Sequence, residues 1–185
     1  ITVPMSGDPV DYPKYSNDMN FSEFEHRVFD CDHHFYETAD SFTRYLPKEY
    51  EGVVKLVEVD GRKKVALRGR ISEYIPNPTF EVVAEPGSGM EYFAAKNVSG
   101  KPFREIITPM RAIPEFTDKD ARMDLIDRMH VDAILNFPTL ASVIEVTFMD
   151  DPILTQALVH AFNQWMFDDW GFNIASQLAW VNLML

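Results

Sequence analysis

The sequence predicts an α/β fold built on parallel strands. Two observations carry that prediction. A short strand pattern at 28–32 is followed, after a long insertion, by a helix–strand–helix–strand succession that ends in the apolar run 177–185. Strands separated by helices, rather than by tight turns, pair in parallel with the helices packed on the sheet.

Residues 1–25 are polar and rich in Pro, Asp and Tyr, and read as an extended arm in front of one domain at 26–185. Residues 28–32 form the first predicted strand. Side chains alternate along a strand, so Asp30, Asp32 and His34 are expected on one face and the apolar Phe29 and Cys31 on the other. Residues 41–50 read as a helical turn broken by Pro47. An insertion follows at 51–116. Its first part, 53–71, predicts a hairpin turning at Asp60-Gly61, because the tight hairpin turns need positive φ. Its second part, 72–116, is punctuated by prolines and glycines and reads as irregular. A run of that length belongs to a functional surface or to an arm between subunits.

Order returns at Thr117. Thr117-x-x-Asp120 has the pattern of a capping box, opening a helix with Ala121, Leu125 and Met129 on one stripe. Residues 131–137 (VDAILNF) read as a buried strand closed by Pro138. Asp151 and Pro152 open a second helix as N-cap and first residue, with Leu154, Leu158, Phe162, Trp165 and Met166 on its apolar face. Gly171 is placed to end it. Residues 177–185 are apolar enough for a further buried strand.

Composition narrows the function classes. The 185 residues carry 17 Lys+Arg against 29 Asp+Glu, a formal net charge of −12. Such a surface repels nucleic acid and anionic membranes, which require basic patches. A small-molecule substrate is the expected partner. One cysteine cannot build a disulfide framework and fits a reducing compartment. No apolar run reaches the ~18 residues of a membrane span. Together with the absence of a signal-peptide pattern, these features lead us to expect a cytoplasmic protein. An unpaired sheet edge and uncovered apolar helix faces would favour a homo-oligomer.

The chemistry lies in Asp30-Cys31-Asp32-His33-His34-Phe35-Tyr36-Glu37. Asp32 and His34 are two residues apart near a strand end, so their side chains can converge on one ion. A carboxylate with an imidazole suits Zn²⁺, Mn²⁺ or Fe²⁺. The competing reading is a polar strand end with a satisfied histidine. Cys31 reads as a small core residue, and His33 as structural or exposed. Arg44 could contact a substrate carboxylate, or pair with one of the many acidic residues. Asn136, Thr139 and Asn182 fall at the C-terminal ends of predicted strands.

Three segments together, FDCDHHFYETADSFTRYLP, ARMDLIDRMHVDAILNFPTL and AFNQWMFDDWGFN, resemble the amidohydrolase-related family of metal-dependent hydrolases and aromatic-acid decarboxylases. The resemblance implies a (β/α)₈ TIM barrel, of which this chain would supply about the first three strands. It implies metal ligation by Asp32 and His34, at the positions of that family's first-strand motif. It also implies a supporting role for Glu37, which matches an acidic residue that follows the motif by three. The implied reaction is metal-assisted hydrolysis of a C–N or C–O bond. The alternative on the same scaffold is non-oxidative decarboxylation of an aromatic acid. The family's later ligands have no counterpart at a strand end here: His26, His130 and His160 lie elsewhere. A non-catalytic fragment or interaction module is therefore the third reading, and the chain alone is expected to be inactive.

Overall fold

The computed structural model describes residues 22, 25–73, 79–85, 87–93, 100–174 and 178–180. Most of the expected N-terminal arm lies outside these residues, as does Asn182. The first strand, β1 (Phe29–Phe35), runs further than the expected 28–32. A 3-10 turn at Lys48–Tyr50 follows Pro47, where a helical turn was expected.

The hairpin forms as anticipated. β2 (Val54–Val59) and β3 (Arg62–Leu67) pair antiparallel in unbroken register from Val54 opposite Leu67 to Val59 opposite Arg62. Asp60 and Gly61 hold φ of 52° and 71°, the two positive values a type I′ turn demands. The chain turns again at Arg68-Gly69 to add β4 (Arg70–Ile71) to a three-stranded sheet. The stretch expected to be irregular contains structure of its own. β5 (Val82–Ala84) pairs with β6 (Pro109–Arg111), and between them lie two single-turn helices, α1 (Met90–Phe93) and α2 (Phe103–Ile106). Segments this short offer no periodicity to read.

α3 (Lys119–Met129) opens one residue later than the capping-box pattern placed it. Asp118, rather than Thr117, is the N-cap, its carboxylate accepting from the Ala121 amide at 2.8 Å. The buried stripe is Arg122, Ile126 and Met129, so the helix is rotated from the expected Ala121–Leu125–Met129 face. β7 (Ala133–Pro138) follows, and then α4 (Ala141–Phe148), a helix absent from the sequence expectation. α5 (Pro152–Asp169) has Asp151 as N-cap, accepting from Leu154 N at 3.1 Å, with Pro152 at its first position. Its five expected core residues are all buried. The Gly171 amide closes it on the Met166 carbonyl. β8 (Asn173–Ile174) and β9 (Leu178–Trp180) complete the described chain.

β1, β7 and β9 lie side by side in parallel, and β8 adds antiparallel to β9, giving the order β1-β7-β9-β8. Among the described residues this sheet is open, with β1 and β8 at its edges; the parallel α/β arrangement is present, and a closed barrel is not. One face carries the core. Phe35 of β1 packs against Trp165 and Trp170, with ring centroids 6.0 and 5.1 Å away, and Ile134 of β7 is fully buried. Ile126, Ile144, Phe148, Leu158 and Phe162 join the same cluster.

Candidate functional site

The register of β1 against β7 decides where the chemistry goes. Phe29 pairs with Ala133 and Asp30 with Ile134, but His33 pairs with Asn136 and His34 with Phe137. Three residues of β1 are thus spanned by two of β7, which is a bulge at Cys31-Asp32. One extra residue reverses the alternation beyond it. Ala133 and Phe137, four apart on a regular strand, share a face, so Phe29 and His34 share it too. Ile134 and Asn136 share the other, with Asp30 and His33. The expected single face of Asp30, Asp32 and His34 is therefore divided. Phe29 and Cys31, expected on the opposite, apolar face with Cys31 as a small core residue, are exposed, Phe29 to 59%.

On the open face, Asp32 and His34 come together. His34 Nε2 lies 3.4 Å from Asp32 Oδ1, and the His34 ring rests against Phe137 with centroids 5.8 Å apart. Both side chains face solvent, at 49% for His34 and 88% for Asp32. The separation is longer than a good hydrogen bond. It matches two ligands of one tetrahedral ion, since donor atoms about 2.0–2.2 Å from a zinc stand roughly 3.3–3.6 Å apart. The pair therefore fits two coordination positions. Among the described residues no third His, Cys, Asp or Glu joins them. A catalytic zinc normally has three protein ligands and an open position.

On the helix face, Asp30 and His33 meet Arg122 of α3. Asp30 Oδ2 lies 2.7 Å from His33 Nδ1, and Arg122 Nη1 contacts His33 Nε2. A guanidinium can only donate, so Nε2 is the acceptor and Nδ1–H donates to Asp30. The same Nη1 also donates to the His34 carbonyl at 3.0 Å, and Arg122 Nε donates to the Glu115 carbonyl. Burial and the Arg122 charge together hold His33 below its ordinary pKa. Burial pushes the Asp30 carboxyl up, but its bonds to His33 and to the Asp32 amide outweigh that and leave it low. Arg122 is 3% exposed, and burial brings its pKa down to about 10. Sequence reasoning missed Arg122. Its one available signal was a cation standing i, i+4, i+7 with the apolar Ile126 and Met129.

Glu37 is buried, and its carboxylate is turned to the start of α4. Its Oε1 accepts from the Leu140 and Ala141 amides at 2.6 and 3.1 Å, capping α4 from a distant part of the chain. Burial raises its pKa to about 7 against those backbone bonds. The Arg44 guanidinium binds Asp169 through two bonds of 2.5 and 3.0 Å and Asp40 through a third of 2.8 Å. Thr139 donates to the Phe35 carbonyl at 2.6 Å, and Asn136 is fully buried on the helix face. Beyond β1, Tyr36 stacks on Phe80 at 4.1 Å with Phe116 edge-on, walling the end of the strand with aromatic rings.

No family model and no curated protein matches the chain. Among solved structures it is similar to the crystal structure of an amidohydrolase from Mycobacterium avium subsp. paratuberculosis K-10. Identity is 30% and the TM-score 0.78, over 86% of this chain and 43% of that one. The chain thus spans less than half the length of that neighbour. In the described residues, no helix is long and apolar enough to cross a membrane. The fold, with its parallel strands and helix-covered face, is amidohydrolase-like.

Proposed function

We propose that this chain carries part of the active site of a metal-dependent hydrolase acting on a C–N or C–O bond of a small molecule. The observation that carries the proposal is the Asp32–His34 pair, set 3.4 Å apart on the open face of β1. Likeness to an amidohydrolase at 30% identity supports it. So does position, because catalytic groups in parallel α/β folds collect at the carboxyl ends of strands.

In this reading His34 Nε2 and Asp32 Oδ1 are two of the metal's ligands. Zn²⁺, Mn²⁺ or Fe²⁺, when bound, supplies Lewis acidity and lowers the pKa of water toward neutrality. Phe137 packs against the His34 ring, and Tyr36, two residues further along the chain, stacks on Phe80 with Phe116 edge-on. Among the described residues, two ligands from one strand leave the coordination set incomplete. The 185 residues alone are therefore expected to bind divalent metal weakly and to release no product from simple amides or lactones.

Titration with Co²⁺ or Mn²⁺, followed by NMR, tests the ligands. Asp32→Ala and His34→Ala should each abolish the weak binding, and metal binding that survives both would sink the reading. Tight one-to-one binding with turnover lost in His34→Ala would show instead that the chain completes its own site.

A further inference from the structure

We infer that Arg122 is a positioning residue for this site: from α3 it fixes the bulge in β1 and grips the His34 backbone, and thereby holds the Asp32–His34 pair on the open face, apart from Asp30. The inference rests on the reading of that pair as metal ligands.

The bulge is where two faces of β1 separate. Before it, Asp30 points to the helix side and Phe29 to the open side; after it, His33 takes the helix side and His34 the open side. For Asp30 and His33 to share a face three residues apart, one extra residue must be stored between them. The 2.7 Å contact between these two side chains closes that loop, and the Asp32 amide donates to Asp30 Oδ1 at 3.1 Å inside it. Arg122 then holds the loop from outside, through His33 Nε2 and the His34 carbonyl, while its Nε is anchored on the Glu115 carbonyl. His34 is thus gripped at its backbone by Arg122 and at its ring by Phe137. Strand pairing alone would leave the regular, bulge-free register open. In that register Asp30, Asp32 and His34 would all fall on one face, so either the pair would follow Asp30 to the helix side or Asp30 would leave His33 and Arg122 for the open side.

A lysine cannot replace this guanidinium. It offers one point charge, whereas Arg122 donates in a planar fork to three acceptors on two segments. Groups that orient metal ligands from behind typically change metal affinity by about 10–100-fold when removed.

The experiment is Mn²⁺ titration of the 185-residue chain, read by paramagnetic broadening of the assigned His34 ring signals, with melting midpoints measured alongside. Arg122→Lys should weaken apparent affinity at least ten-fold while the chain stays folded. Asp30→Asn should weaken it less, because the bond from Arg122 to the His34 carbonyl remains. Asp30 lies at the partly open edge, so this variant carries the test if Arg122→Lys does not fold. Asp32→Ala is the control for the ligand pair. Broadening lost in Asp32→Ala but unchanged in Arg122→Lys or Asp30→Asn would overturn the role of Arg122 and leave the metal reading standing. A lower melting midpoint with unchanged affinity of the folded chain would do the same, marking Arg122 as structural only. No broadening of His34 in the unmodified chain would overturn the ligand pair itself, and this inference with it.

Discussion

The β2–β3 hairpin and strand β1 are both short alternating segments, yet they hold their registers by opposite means. The hairpin is fixed from within. Six consecutive residue pairs run without interruption from a turn whose two residues both sit at positive φ. β1 is fixed from without. Its register against β7 shifts once, and the groups that stabilise the shift include an arginine 89 residues away. A register set by a turn is a local property, and it leaves the faces of the strand to simple alternation. A register set by a distant side chain can store an extra residue and use it to send Asp30 and Asp32 to different faces. In this molecule the candidate chemistry sits on the second kind of strand.

The strongest way to break β1 without touching its polar groups is Phe35→Ala. Phe35 is 1% exposed and lies between Trp165 and Trp170, so truncation leaves a cavity under the end of the strand. A loss of about 3–5 kcal/mol is expected by urea denaturation. The matching change in the hairpin, Leu56→Ala, removes a half-exposed side chain and should cost well under half as much. Similar losses at the two positions would remove the contrast.

Next in size is a pH effect, again confined to the β1 side. Glu37 is buried, and its pKa rises to about 7 from an ordinary 4.5. A raised carboxyl binds its proton more tightly in the folded chain, so its contribution is fully present below pH ~4.5 and is lost as pH rises through ~7. The difference across that window is on the order of 3 kcal/mol. Asp30 and Asp40, whose pKa values are lowered, act in the opposite direction at lower pH. Comparing urea midpoints at pH 5 and 8 in the natural chain and in Glu37→Gln isolates the term. The glutamine variant should lose most of the decline, and an identical decline in both would refute the assignment.

A smaller effect sharpens the hairpin side. Gly61 holds φ of 71°, and a Cβ built there meets no atom within 4 Å, so Gly61→Ala pays only for the backbone conformation. The expected cost is about 1–2 kcal/mol. Hydrogen exchange should show the loss in β2 and β3 and leave β1 and β7 unaltered.

The same distinction explains what could be read in advance. The hairpin, the Asp151–Pro152 helix start and the five core residues of α5 follow from short-range rules, and each is found where those rules place it. α4 was illegible because no residue of its own caps it; its N-terminal amides are satisfied by Glu37, about a hundred residues earlier. The bulge was illegible for a like reason. Period-2 alternation brought Asp32 and His34 together correctly, but it could not show that Asp30 would leave them for His33 and Arg122. The aromatic wall at Phe80 depends on the fold of an insertion in which no periodicity announces structure.

The smallest expected effect compares the arginines that tie each region to α5. After β1, Arg44 grips Asp169 at the C-terminal end of that helix, and its neighbour Tyr45 donates to Asp168. After β3, Arg68 grips Asp150 at 2.7 and 2.9 Å near the N-terminal end, and its charge lies over the Phe148 ring. Exposed pairs of this kind contribute roughly 0.2–1 kcal/mol and are screened by salt. The helix dipole makes the two ends unequal. Acidic groups are welcome at an N-terminus and unfavourable at a C-terminus, so Arg44 offsets a repulsion that Arg68 does not face. Arg44→Gln should therefore cost more than Arg68→Gln at low ionic strength, each within about 1 kcal/mol. The gap should close in 0.5 M salt, and adding Asp169→Asn should restore most of what Arg44→Gln loses, because it removes both the partner and the repulsion. Urea denaturation at two salt concentrations measures all three changes. A larger loss for Arg68→Gln would mean that its contact with the Phe148 ring, rather than the helix dipole, ranks the two ties.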